Sequence, residues 1–377
     1  MLKKIEKGGK FFLARFLGVF LRTRKLDPGD LRGERVERLL VIRQHNQMGD
    51  MLCAVPALRG LKERFPGARV SLVAAPINTD VMRGNPYVDE VLTYSKERQR
   101  ENPLALILFI RLLRRRRFDA VIVLNTVSFS VTSMLLALAS GARLRMGSTS
   151  TPFGSDITSR YYHIELPLPS SEELAAMHET RHNLYPLSVI GVRSEDLRSV
   201  VVPDAEEEER LKALRSDIDP EGRGYIVVHP GAGKKQNIWP PERFARSAVL
   251  IAERHGLAVT AVRGPVDGEA LELFLSEFSA AAARTGIAPP VTVSSPSVGL
   301  FAALMRDAAV TLCNDTGVMH IAGAAGARCV AVFGPTEPER WKPVNEEVVA
   351  VRAPDRRMDS VDVGQVVDAA ERLISGG

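Results

Sequence analysis

From about residue 38 onward, short runs of Val, Ile and Leu alternate with longer amphipathic stretches. That alternation predicts parallel strands joined by crossover helices packed on the faces of a sheet. In the first half, residues 39–43, 70–74, 90–93 and 120–124 read as strands, with helices over 51–64, ending before Pro66-Gly67, and over 130–140. Residues 149–171 lose the period and collect Ser, Thr, Pro and Gly, so they read as a long irregular excursion near the end of a first domain. A helical stretch over 172–190 follows. Val200 to Pro203 and the acidic run 206–209 then mark the start of a second α/β unit, the run reading as a solvated helix face. The second unit carries strands at 225–229, 258–263, 291–293, 310–313 and 329–333, and a helix over 319–325. A last helix over 363–374 is expected to pack back across the hinge. Sheets of this kind bind ligands at the carboxyl ends of their strands, and two such units predict a ligand cleft between them.

Composition narrows this picture without redirecting it. At 377 residues the chain calls for two domains, read as 38–195 and 196–377 after a basic amphipathic segment over 1–37. With 45% hydrophobic and 25% charged residues it reads as a globular chain with sizeable cores, and disorder is not indicated. Fifty basic residues against 45 acidic ones draw it only weakly to anionic partners, and nucleic acid is not implied. Cys53, Cys313 and Cys329 lack paired metal-ligand spacing and read as reduced, small core residues, which points to the cytoplasm. No apolar stretch is long enough to span a membrane, since the longest, 104–110, runs into Arg111. The Phe/Leu stretch over 11–21 resembles a signal peptide but is interrupted by Arg15 and lacks a small-residue cleavage site, so it is kept in the mature chain. With the lysines around it, this segment either lies on an anionic membrane leaflet, giving peripheral association, or docks on the first domain.

Three strand-to-loop junctions carry the candidate chemistry. Cys313-Asn314-Asp315-Thr316-Gly317-Val318-Met319-His320 follows a strand and opens a helix. Amides without partners and the positive end of the helix dipole make such a junction an anion site. Gly317 admits a phosphate to the main chain, Thr316 adds a hydroxyl, and His320 returns to the same face four residues later. The alternative is a capped helix with a buried core histidine. Val227 to Lys235 is a second strand feeding a glycine-rich loop, with Gly231, Ala232, Lys234 and Lys235 ahead of Trp239-Pro240-Pro241-Glu242-Arg243-Phe244. It wraps a diphosphate, or it is a turn with solvent-facing lysines, and it lacks the P-loop spacing. In the first half, Val41 to Leu52 places Gly49-Asp50 where a loop becomes a helix. Asp50 is the candidate general base for a hydroxyl nucleophile, or simply a helix cap.

Taken in order from about Leu39 to Arg340, these segments resemble the ADP-heptose:lipopolysaccharide heptosyltransferases. The likeness rests on Gly49-Asp50 followed by Val55-Pro56-Ala57-Leu58, on His229-Pro230-Gly231-Ala232 leading to Trp239-Pro240-Pro241-Glu242-Arg243-Phe244, and on Asn314 to His320 followed by Phe333-Gly334-Pro335-Thr336. Arg83 to Glu90 and Gly264-Pro265 fit as well. The resemblance implies an α/β GT-B fold of two Rossmann-like domains. It further implies inverting transfer of heptose from ADP-heptose to a lipid-linked, anionic inner-core acceptor of lipopolysaccharide, without a cofactor or an obligatory metal. Asp50 falls where the family places its base, and ADP would be held by Gly231, Ala232, Asp315, Thr316, Gly317 and His320, with Glu269 toward the nucleoside. One departure stands out: the family commonly carries a lysine just before the Trp-Pro pair, where this chain has Asn237-Ile238 and only Lys234 or Lys235 to supply the charge. The rival readings are a GT-B transferase or epimerase using another sugar nucleotide, and a membrane-recruited pseudoenzyme that binds an ADP-sugar.

Two remaining features are set apart. His178, Glu179 and His182 have helix-face spacing but no third ligand nearby, which favours a cleft-lining helix over a metal site. Arg111 and Arg114 to Arg117, with Arg98 and Arg100, form a positive edge that faces an anionic acceptor or is a solvated helix end.

Overall fold

The computed structural model describes residues 16, 18, 19, 21, 23–33, 35–44, 47–154, 156–265 and 267–376. Lys3, Lys4, Lys7, Lys10 and most of the apolar run over 11–21, the segment expected either to lie on a membrane or to dock on the first domain, lie outside the described residues, as do His45 and Asn46. The chain divides into two compact units, Met1–Leu197 and Arg198–Gly377.

The first unit holds β1 (Arg38–Arg43), β2 (Arg69–Ala74), β3 (Glu90–Thr93), β4 (Ala120–Val123), β5 (Leu144–Ser148) and β6 (Ile164–Leu166). They form one parallel sheet in the order β3-β2-β1-β4-β5-β6. The second unit holds β7 (Tyr225–His229), β8 (Ala258–Arg263), β9 (Val291–Ser294), β10 (Val310–Asn314), β11 (Cys329–Phe333) and β12 (Val348–Arg352). Its sheet is also parallel, in the order β12-β11-β10-β7-β8-β9. Numbered from each unit's own first strand, the two orders are identical. Helices cover both faces of such sheets, so the central strands are apolar throughout, and β4, β7 and β11 are buried at every position. The strand order reverses between β1 and β4 and between β7 and β10. At such a reversal the outgoing loops diverge and leave a crevice at the carboxyl ends of the strands.

Several sequence expectations need correction. The helix over 51–64 is two helices, Met48–Leu52 and Val55–Arg64, because Pro56 has no N–H and belongs in a first turn. The excursion over 149–171 contains β6, and β5 lies just before it. Arg145 and Gly147 interrupt the apolar run of β5, yet Gly147 is required there, because the Tyr162 ring occupies the space a Cβ would need. The strand β12 was also outside the predicted elements. The acidic run is not wholly solvated. Glu207 is buried, accepts the Asp204 N–H at 2.9 Å in a capping box, and accepts the Ser297 hydroxyl at 2.5 Å. The last helix, Val363–Ser375, stays with its own unit and adds Val366, Val367, Ala369 and Ala370 to the core around Trp239, Phe244 and Phe274. Its amphipathic pattern is satisfied by that core.

Candidate functional site

In the first unit the strand-order reversal is tied together by a buried arginine. Arg43, the last residue of β1, donates from Nη2 to the Asp50 carbonyl at 2.9 Å and from Nη1 to the Leu124 carbonyl, just past β4, at 3.3 Å. The loop that carries Asp50 is thus fixed to both strands at the crevice. Asp50 itself lies in the first turn of Met48–Leu52, 7% exposed. Burial lowers the Arg43 pKa, opposed by the negative charges of Asp50 and Glu179. Glu179 is fully buried and pairs with His182 Nδ1 at 3.1 Å. Burial also pushes the Cys53 thiol up to about 12, reinforced by Glu179 and Asp50, so Cys53 is an inert core thiol. Asn183 completes the cluster, donating to the Glu179 carbonyl at 2.8 Å and the Cys53 carbonyl at 3.4 Å while accepting from Thr126 at 3.2 Å.

The helix noted for its histidines, Glu179–Leu184, therefore reaches this site through Glu179. His178 serves as its N-cap, with Nδ1 accepting the Thr180 N–H at 3.1 Å. Among the described residues no group of three His, Cys, Asp or Glu side chains is placed to hold a metal ion. All three cysteines are free and buried, as their spacing implied.

In the second unit the corresponding loops follow β7 and β10, and Asn314 joins them. Its Nδ2 donates to the Pro230 and Gly231 carbonyls, both at 3.0 Å, and its Oδ1 accepts the Trp239 N–H at 2.8 Å. Gly231 packs against Asp267 so closely that a Cβ would overlap the carboxyl group, so glycine is needed here for packing. Asp267 bonds His229 Nε2 at 3.0 Å and accepts the Gly264 N–H at 3.2 Å. The bond to His229 holds its carboxyl below the usual range. Ala232 is buried beside Gly231.

The helix Gly317–Ala325 begins two residues earlier than its apolar pattern suggests. Thr316 is its N-cap, accepting the Val318 N–H at 3.2 Å, which is one of the first-turn amides that an α-helix leaves without an intrahelical carbonyl. Gly326 closes the helix at φ +73°. His320 is buried on this helix. Asp315 does not cap; its carboxylate accepts from the Thr336 hydroxyl and from Asn237 Nδ2 at 3.4 Å, and Asn237 Nδ2 also meets the Asp315 carbonyl at 3.2 Å. Burial raises the Asp315 pKa, and the Thr336 bond and the Lys234 charge offset part of that rise.

Asn237, at the position that departs from the resemblance, is thus a buried neutral clasp between the two loops. Lys234 and Lys235 are exposed at the turn Lys235–Asn237. The charge of Lys234 acts on Asp315. Glu269 is exposed in the first turn of Gly268–Ala282, two residues beyond Asp267. The loops thus bring Gly231, Ala232, Asp315 and Thr316 together around Asn314. Sequence reasoning overlooked Arg43 and Asp267. Arg43 ending an otherwise apolar strand was the available signal; Asp267 had none, because its partner His229 lies 38 residues earlier.

Residues 107–369 match the family model described as glycosyltransferase family 9 (heptosyltransferase). Lipopolysaccharide heptosyltransferase 3 of Escherichia coli is 24% identical over 320 residues, covering 82% of this chain and 87% of the relative. The crystal structure of a family 9 glycosyl transferase from Veillonella parvula superposes with a TM-score of 0.76 at 19% identity, covering 94% of this chain and all of the other. The E. coli ADP-heptose LPS heptosyltransferase II superposes at 0.70 and 18% identity, covering 90% and 99%. The two parallel α/β units are those of a GT-B glycosyltransferase. The chain belongs to glycosyltransferase family 9, the heptosyltransferases.

Proposed function

We propose that the protein transfers heptose from ADP-heptose, with inversion, to an inner-core acceptor of lipopolysaccharide, with Asp50 as general base. The acceptor hydroxyl attacks the anomeric carbon, its proton passes to the Asp50 carboxylate, and the bond to the diphosphate breaks with its electron pair leaving on ADP. The diphosphate lies against the start of Gly317–Ala325. There the Thr316 oxygen accepts from Val318, so its own hydrogen is the one to offer a phosphate oxygen, and Lys234 supplies the cation in place of the family's lysine. His320 and the Gly231-Ala232 main chain border the same anion, and Glu269 serves the nucleoside. Asp315 acts through the loops it ties rather than by touching phosphate, since a carboxylate there would repel the donor. In this reading positioned dipoles and lysine charge stabilise the leaving group, with no metal or cofactor. The acceptor, a lipid-linked anionic glycan, puts the enzyme at the cytoplasmic face of the inner membrane.

The observation that carries the reading is the Asn314 clasp, which gathers both second-unit loops at the strand-order reversal in a chain of this family. The test offers purified protein ADP-, UDP- and GDP-sugars with heptose-deficient lipopolysaccharide and follows nucleotide release. Acceptor-dependent ADP release supports the proposal. Release of UDP or GDP in preference, or acceptor-independent turnover, refutes it.

A further inference from the structure

The helix Pro103–Arg115 has an outward stripe that the catalytic account leaves unused. Asn102 caps it, accepting from Leu104 and Ala105, and Phe109 and Leu113 bury its inner face against Tyr94, Phe118 and Val121. On the opposite face Leu104, Ile107 and Leu108 are 60%, 54% and 55% exposed. Arg111, Arg114 and Arg115 continue the same line, so exposed positions recur at i, i+3, i+4, i+7, i+10 and i+11. The stripe, about 20 Å long at 1.5 Å per residue, is therefore apolar in its first half and cationic in its second. Arg98 and Arg100 lie on the preceding helix Lys96–Glu101, and Arg116 and Arg117 extend the far end.

The chemistry of this face points to one kind of partner. Residues 96–117 carry eight basic and two acidic side chains, more net positive charge than the +5 of the entire chain. Arg116 is paired with Glu90, and Arg114 Nε donates to the Ala139 carbonyl, but the row as a whole stays solvent-facing. Other large exposed apolar residues among those described are scattered, and only this helix aligns three of them. A second copy laid on this face would bring arginine against arginine or against leucine. A bilayer with anionic headgroups meets both halves at once, with the leucines and isoleucine at the acyl boundary and the arginines at the phosphates.

We propose that the outer face of Pro103–Arg115 is a membrane-docking surface for anionic phospholipid. It rests on the transferase reading only in taking a lipid-linked acceptor as the reason to dock; the binding is a separate property of the chain. The experiment is co-sedimentation of the full chain with phosphatidylethanolamine vesicles containing about 30% phosphatidylglycerol, and with phosphatidylcholine vesicles. Two variants are compared, L104S/I107S/L108S and R111E/R115E, each checked for an unchanged thermal transition.

The proposal expects binding to the anionic vesicles that falls at least about fivefold in each variant. It expects little binding to phosphatidylcholine, and unchanged nucleotide release with detergent-dispersed acceptor. Undiminished vesicle binding by both variants overturns it, as does vesicle-independent self-association abolished by L104S/I107S/L108S. Loss of vesicle binding with nucleotide release intact separates this surface from the transferase reading, and absence of acceptor-dependent nucleotide release from the unmodified chain, with vesicle binding still lost in the variants, counts against that reading while sparing the surface.

Discussion

The two units share a strand order but fix their strand-order reversals by opposite means. In the first, a buried cation ties β1, the Asp50 loop and β4 together, with Asp50 and Glu179 as the surrounding charges. In the second, a neutral amide, Asn314, clasps one loop to the other through two carbonyls and a main-chain N–H, and the nearby carboxylates of Asp315 and Asp267 are each held by partners of their own. The difference matches the work each half has in the proposed reaction. A proton acceptor is tuned by nearby charge, whereas a site for a diphosphate does best with fixed dipoles and with its own carboxylates turned to other donors.

The largest effect is expected at the charged side. Arg43→Met leaves Glu179 and Asp50 without their buried cation and should lower stability by about 3–5 kcal/mol in urea unfolding. A loss under 1 kcal/mol would mean the charges are already balanced by other groups. Asn314→Ala removes three hydrogen bonds and strands two buried carbonyls, for an expected cost of about 3 kcal/mol. In addition, ADP affinity measured by calorimetry should weaken, which Arg43→Met should not cause. Equal ADP loss in both variants would dissolve the division of labour.

Asp267→Asn sharpens the comparison through pH. The Asp267 carboxyl is held below its usual value by His229, so its contribution is present above the unfolded value near 3.8 and is lost as pH falls through the lower folded value. The variant should be about 2 kcal/mol less stable at pH 7, and the gap should close as the pH drops below about 4. A gap that stays constant to pH 2 would show that the carboxylate charge is not what stabilises the loop. Thr316→Ala, the smallest change, should cost about 1 kcal/mol through the lost cap and reduce ADP affinity without altering the pH profile of transfer.

Much of this was legible in the chain because buried parallel strands are written as continuous apolar runs: β7, β8 and β11 fall on the residues the pattern marks. Strands were missed where tertiary packing overrode local pattern, as at β5, where Gly147 yields to the Tyr162 ring, or where three residues such as Ile164–Leu166 are too few to show a period. The loop motifs put Asp50, Gly231, Asp315 and Thr316 near strand-to-helix junctions, where the structure also has them, because such junctions leave local signatures. They could not reveal Arg43, Asp267 or the role of Asn237. Those depend on partners 7, 38 and 78 residues away, where neither spacing nor composition shows the contact.

The central claim is that proton removal resides in the first unit and donor binding in the second, and Asp50→Asn tests it most directly, with transfer rate and ADP affinity measured on the same preparation. The account predicts a fall in kcat of about 10²–10⁴-fold with the dissociation constant for ADP unchanged. Transfer at the normal rate, or a loss of ADP binding that parallels the loss of rate, would contradict it.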